Sequence, residues 1–590
     1  MKRTTAAVLA GLGSAGAELL GGVELPGAPA GAGSRPGERE LGSGGGRTAE
    51  ASRTTALGEP VYGRAAGNDI QGAVVPGFNK DHQRLVFLRI GDVDGARAWL
   101  RWLAPRIATM NEVLDFRRAF RAARLRLGVR DPGLSGDGAR VPELTSMWTS
   151  FALSYKGIEI LAGPAEAARF GDESFRQGLA ARSTYLGDPT DPAHPGHRDR
   201  WVVGGPQSEA DVLITVAADA VDDLETAVAA IVSTAEQHGL TVVSSQRGDN
   251  LPGDLAGHEH FGFKDGISQP GIRGGRSGLP GDEITPRYLA ADDAHATLFG
   301  KPGQPLVWPG QFLLGEPRQD PQDPRVAAAP SAAFPDWARL GSYVVVRRLA
   351  QDVVGFWDWM GSAAEAVGVD PVAFASALVG RWPSGAPVMR SPHHDDPALA
   401  GDDFASNHFL FQDDTRPSSL VPIEGYAGDT HPAAAADVLA RVCPHAAHIR
   451  KVNPRDSATD FGAPADTLTR LMLRRGIPYG PALVGVADPS PELVEAERGL
   501  LFVACMSSIE DQFEFVSRRW ANSVDQPNAG GVDPIIGQVD RAGQRVREVV
   551  RPGASGDVAL RLESDFVTPT GGGYFFAPPI SAVDGILAGE

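Results

Sequence analysis

Cysteine is almost missing from this chain: Cys443 and Cys505 are the only two in 590 residues. Two thiols cannot build a disulfide framework, and they lack the paired spacing of a zinc or iron-sulfur site. Two buried free thiols in a reducing compartment is the expectation. Also missing is any uninterrupted apolar run of the roughly 18 residues that a membrane-crossing helix needs. Positive charge is in deficit, with 55 Lys and Arg against 73 Asp and Glu, a net charge of -18 and a pI near 5.2. Such a surface repels nucleic acid and anionic membranes, so neither is expected as a partner. What remains, 42% hydrophobic residues over this length, suffices for one large core or two, at roughly 100–200 residues per domain.

The first sixty or so residues are rich in Gly, Ala, Ser and Arg, as in Gly42-Ser43-Gly44-Gly45-Gly46, with nothing aromatic to anchor a core. A disordered tail over 1–65 is expected. Its start, Met1-Lys2-Arg3 followed by a thin apolar run, makes export the alternative to a cytoplasmic protein. Beyond the tail, 84–90 alternates as a strand and 95–107 carries one apolar helical face. The stretch 148–161 reads as strand then helix, 211–216 as a strand, 222–238 as an amphipathic helix and 241–244 as a strand. Strand, helix, strand, strand, helix, strand is the order of a ferredoxin-like α+β unit. The second half repeats it with strands over 342–349 and 500–506 and a helix over 356–366. Its Pro-, Asp- and Gly-rich stretches 281–341 and 382–405 read as surface insertions. Two ferredoxin-like domains of antiparallel sheet and helices are expected, over 66–255 and 256–590.

The segment Phe261-Gly262-Phe263-Lys264-Asp265-Gly266-Ile267-Ser268-Gln269-Pro270 sets one carboxylate between glycines at a turn, where a flat ligand can approach the backbone. A tight turn capped by Asp265 explains the same pattern. Thirteen histidines occur. His258 and His260 lack a third metal ligand, and His393-His394-Asp395-Asp396 reads as a solvated loop. More telling is Cys443-Pro444-His445-Ala446-Ala447-His448-Ile449-Arg450-Lys451-Val452-Asn453-Pro454-Arg455. A helix over 433–442 is expected to stop at Pro444, small residues then make room beside a histidine, and cations follow. That combination suits a large, flat, anionic cofactor whose metal an imidazole can bind.

Together with Leu473-Arg474-Arg475-Gly476-Ile477-Pro478-Tyr479-Gly480 downstream, these motifs resemble the dye-decolorizing peroxidase family in its larger forms. Asp69-Ile70-Gln71-Gly72, Asp533-Pro534-Ile535-Ile536-Gly537 and Gly571-Gly572-Gly573-Tyr574-Phe575-Phe576 extend the resemblance from about Asn68 to the end. It implies one haem b per chain, held mainly by the second domain, and a peroxidase that oxidises phenols and anthraquinone-type dyes with hydrogen peroxide through a ferryl intermediate. His448 is then the proximal iron ligand, Arg455 and Arg450 the partners of the haem propionates, and Asp265 with Arg474 the distal pair, Arg475 being the alternative arginine. Asp533 is the candidate carboxylate behind His448, with Asp511 and Glu514 after it. Tyr479 and Trp520 are candidate electron relays among the oxidisable side chains Trp357, Trp359, Trp382 and Tyr574. A haem-binding protein for transport, sensing or iron release is the alternative function, and a homo-oligomer is among the expectations. A haem-free hydrolase using Asp265 as base leaves the 443–455 segment unexplained.

Overall fold

A computed structural model describes residues 55, 57–126, 145–459, 461–486, 488–538, 547–553 and 556–590. The disorder and export expectations for the N-terminus fall, through residue 54, outside them. Over 57–65 the expected tail is instead structured. Glu59 is 2% exposed, and its carboxylate accepts from Arg273 at 3.0 Å and Arg287 at 2.7 Å, which pins the segment to the body of the protein.

Nine strands form one antiparallel sheet. In chain order they are β1 (His82–Ile90), β2 (Met147–Leu153), β3 (Val212–Ala218), β4 (Leu240–Asp249), β5 (Ser342–Gln351), β6 (Leu473–Arg474), β7 (Ile477–Tyr479), β8 (Gly499–Met506) and β9 (Val567–Ala577). The spatial order is β4-β1-β3-β2 from the first half, then β9-β5-β8, with β6 and β7 both on β8. Each half is thus a ferredoxin-like sheet. The halves join where Phe576 of β9 pairs with Leu153 of β2. At the far edges the sheet curls back on itself: Arg348 of β5 donates to Gln246 of β4 at 2.9 Å, and a side chain at Gly248 would strike Ile477 of β7. The right-handed twist of strands accumulates over such a sheet and carries its edges toward closure.

Strand alternation divides the core between two faces. Val86 and Leu88 of β1, Val345 of β5 and Phe576 of β9 pack on one side, with Trp99 and Leu100 of α1 (Val93–Leu103) and Leu224 and Ile231 of α3 (Val221–Gln237). Helix α2 (Tyr155–Ala162) adds Ile158 to the same layer. Leu85, Phe87, Val344, Val346 and Phe575 pack on the other. A separate cluster joins α4 (Val353–Val367) and α5 (Pro371–Val379) to Phe261 and Phe263.

Two expectations for the second half are corrected. The Pro- and Gly-rich stretches are surface only in part: Phe312, Leu313, Trp382, Met389 and Phe404 are buried, and residues from 382 to 411 contribute to a hydrophobic cluster with Cys443 and Ala447. Nor do residues 433–442 form a helix. The Asp437 carboxylate captures the backbone N–H groups of Arg441, Val442 and Cys443, and Ala440 adopts a φ of +53°. Local capture of this kind competes with helical hydrogen bonding.

Candidate functional site

His448 opens the short helix α6 (His448–Val452), immediately after Ala446 and Ala447, both buried. The helix lies close against the end of α5. A side chain at Gly380, whose φ is +98°, would lie 2.2 Å from Ile449 Cγ1, so only glycine permits the approach. The imidazole Nδ1 lies 2.8 Å from Asp533 Oδ2. Asp533 is fully buried, and its other oxygen accepts the N–H groups of Ile535 and Ile536 at 2.9 and 3.1 Å. This carboxylate is therefore set in place by the chain around it, and it holds the ring with Nε2 lacking a hydrogen-bond partner among the described residues. Burial alone lowers the basicity of the imidazole, but the charge and hydrogen bond of Asp533 reverse this and raise it. Asp265 adds to the rise and Arg474 opposes it.

Of the other two carboxylates considered behind His448, Glu514 is engaged by Arg182 and by the Tyr574 hydroxyl, and Asp511 lies near Arg318 at 3.5 Å.

Asp265 sits on a loop closed from behind by Glu259, whose half-buried carboxylate accepts the N–H groups of Phe261 and Phe263, each at 2.9 Å, and the Gln351 amide at 2.6 Å. Gly262 and Gly266 have φ values of +96° and +75°, as the turn requires. The Asp265 side chain is exposed, and its Oδ1 accepts from Gly266 N at 2.6 Å. Arg474, in β6, donates from Nη2 to the Ser268 carbonyl at 2.8 Å, and its backbone is clamped by both ends of the Gln269 amide. Arg475 faces elsewhere. Its guanidinium donates to the carbonyls of Ala73, Val74, Pro76 and Arg474 and lines a cavity of about 40 Å³ with Val74, Phe151 and Cys505.

A cluster of cations completes the site. Arg455 donates to the carbonyls of Asn407 and Phe409 and to Asn407 Oδ1, and stacks 3.6 Å from the Phe409 ring centroid. Its φ of +54° is a conformation that costs a non-glycine residue roughly 1–2 kcal/mol. Arg381, which the sequence reading passed over, reaches the same place. Its carbonyl partners are Gly385 and Ser406, and its Nη2 donates to Ser268 and Asn407. Burial pushes Arg381 down to about 9, with Arg455 and Arg474 adding to the shift; burial pushes Arg455 down to about 10. Asp456 opposes the shift of Arg455 from a distance, but none of the three arginines has an ion pair among the described residues.

Arg450 does not belong to this cluster. It is fully buried, binds Asp437 and the Cys443 carbonyl, and lies 4.6 Å from the Phe411 ring centroid, so its guanidinium is committed to the fold. Tyr479 and Trp520 are 3% and 0% exposed, so neither presents a surface to a bulky donor. Arg381 left no mark in the sequence: it follows a helix-ending glycine and immediately precedes a stretch that composition assigns to the surface.

The donor set fits one kind of ligand: a metal complex bound through an open imidazole nitrogen and bearing anionic groups toward the arginines. On a sheet whose two halves each have ferredoxin-like order, it defines a haem protein of peroxidase type. Residues 69–252 match the model of the DyP dimeric alpha+beta barrel domain. A dye-decolorizing peroxidase of Mycena epipterygia is 33% identical over 467 residues, 74% of this chain and 76% of that protein. The multifunctional dye peroxidase DyP2 of an Amycolatopsis strain is 28% identical over 546 residues, 90% and 98% of the two chains. The solved structure of an ancestral D-type dye-decolorizing peroxidase superposes with a TM-score of 0.66 at 30% identity, covering 88% of this chain and 99% of that one. The chain belongs to the dye-decolorizing peroxidase family, a family of haem peroxidases.

Proposed function

We propose that this chain binds haem b and uses hydrogen peroxide to oxidise organic donors, phenols and anthraquinone-type dyes among them. The observation that carries the reading is His448, held at Nδ1 by buried Asp533 and without a hydrogen-bond partner at Nε2 among the described residues, together with Arg474 bonded to the loop that carries Asp265. In this reading His448 Nε2 ligates the iron, Asp533 draws on the Nδ1 proton and strengthens the ring as a donor, and Arg455 faces the propionates. Bound haem supplies the iron at which peroxide is cleaved and the oxidising equivalents that cleavage releases.

The distal residues manage protons and charge. Asp265, with Oδ1 engaged by Gly266, has Oδ2 available to take a proton from one oxygen of hydrogen peroxide and return it to the other, which departs as water. Arg474, anchored by Ser268 and Gln269, presents a fixed cation to the departing oxygen as negative charge grows there, and being preorganised it need not rearrange during the step. Because the candidate relays Tyr479 and Trp520 are buried, they serve as internal steps between the haem and donors too large to reach it.

The test is the absorption spectrum of the full chain supplied with haem, alone and after hydrogen peroxide, beside His448→Ala and Asp265→Ala. The expected result is a Soret band altered or lost in the His448 variant, and a Soret band kept but a peroxide response slowed in the Asp265 variant. A Soret band indifferent to His448→Ala would move the ligand elsewhere, and haem binding with no peroxide response in the parent would make the protein a carrier.

A further inference from the structure

The arginine cluster is organised by a neutral residue. Asn407 is 3% exposed. Its Oδ1 accepts from Arg455 Nη2 at 2.7 Å, from Arg381 Nη2 at 3.0 Å and from the Ser268 hydroxyl. Its Nδ2 donates to the Gly303 carbonyl at 2.6 Å, which fixes the orientation of the amide, because the flipped group would set two N–H bonds against three donors. Ser268 lies three residues beyond Asp265, and its carbonyl receives Arg474. One amide oxygen thus ties buried Arg381 and half-buried Arg455 to the loop that carries Asp265 and receives Arg474.

A carboxylate in this place could accept the same bonds and hold the arginines more tightly, as charge-assisted bonds do. It would also form ion pairs with them and cancel the charge they offer. We infer that Asn407 is a positioning residue that fixes Arg455 and Arg381 while leaving their charge uncompensated, so that the carboxylates of the bound haem complete the cluster. The inference rests on the haem reading above and adds to it the reason for an amide at this point. It also links the two ends of the site, since a shift of the Asn407 oxygen moves Ser268 and, through the Ser268 carbonyl, Arg474.

The near-isosteric exchange Asn407→Asp tests it in the full chain. Haem-free parent and variant are titrated with haem and with haem whose two carboxylates are methyl esters, and thermal unfolding is followed in parallel. The Asp variant should unfold no earlier than the parent, bind haem roughly tenfold more weakly or worse, and bind the diester as the parent does. Equal haem affinity in parent and variant overturns the inference, as does a deficit as large for the diester as for the free acid. Asn407→Ser, which keeps a neutral acceptor, should retain the parent's preference for free-acid haem, and losing that preference counts equally against the idea. A parent chain that binds no haem overturns the peroxidase reading itself and this inference with it.

Discussion

Asp533 and Asp265, the carboxylates assigned to opposite sides of the haem, are held in contrasting ways. Asp533 is buried, accepts two backbone N–H groups and the His448 imidazole, and is fixed on every side. Asp265 is exposed and, among the described residues, its carboxylate is engaged only by the N–H of the next residue, while the loop beneath it is braced by Glu259 and Ser268. A group that tunes a ligand electronically works best when it cannot move or be solvated. One that exchanges protons with a small incoming molecule must stay reachable. Rigidity here lies in the support of the distal loop and not in the carboxylate.

That contrast can be broken most directly at Asp265. Asp265→Asn should slow the reaction with hydrogen peroxide by roughly 10²–10⁴-fold while leaving haem affinity as it was, by stopped-flow absorbance and haem titration. A variant equally slow and equally poor in haem would make Asp265 a structural residue like its counterpart. Asp533→Asn should do the reverse, lowering haem affinity or activity by about 10–100-fold and raising the reduction potential of the iron, because the imidazole loses its anionic partner. A redox titration that leaves the potential unmoved would deny Asp533 the tuning role.

The smallest effect sharpens the difference in support. Burial lowers His260, on the distal segment, and His408, beside the arginine cluster, to about 4 each. Their folded values lie below the ordinary 6.5, so the unfolded chain binds protons first. Stability is therefore full above pH 6.5 and falls as pH drops toward 4, by at most roughly 1.4 kcal/mol per histidine for each pH unit. Glu259, raised to about 7 by burial, has the opposite sign and favours the folded state less as pH rises from about 4.5 to 7. Urea unfolding of haem-free parent and His408→Gln between pH 4 and 7 separates these terms, and the variant should lose part of the acid slope.

The sequence carried the strands and the chemistry-bearing motifs. Alternation and β-branched content placed 84–90 in a strand, an unbroken apolar run placed 500–506 in another, and a histidine among small residues drew attention to His448. Sequence failed where side chains override local pattern. Residues 433–442 have helix-forming alanines, yet Asp437 takes their N–H groups. Arg450 and Arg455, five residues apart and chemically alike, end in different places: one paired with Asp437 within the fold, the other at the edge of the site.

Residue order by itself carried the α+β pattern, because hydrophobic periodicity is a local property, and its motifs, through their family resemblance, singled out His448, Asp265 and Arg474. Only the tertiary structure decided that Asp533, and not Asp511 or Glu514, backs His448, that Arg474 and not Arg475 turns to the Asp265 loop, and that Arg381 and Asn407 belong to the site at all. Each of those outcomes depends on which groups, hundreds of residues apart, the curled sheet and its long connections bring within hydrogen-bonding distance. No local pattern records that.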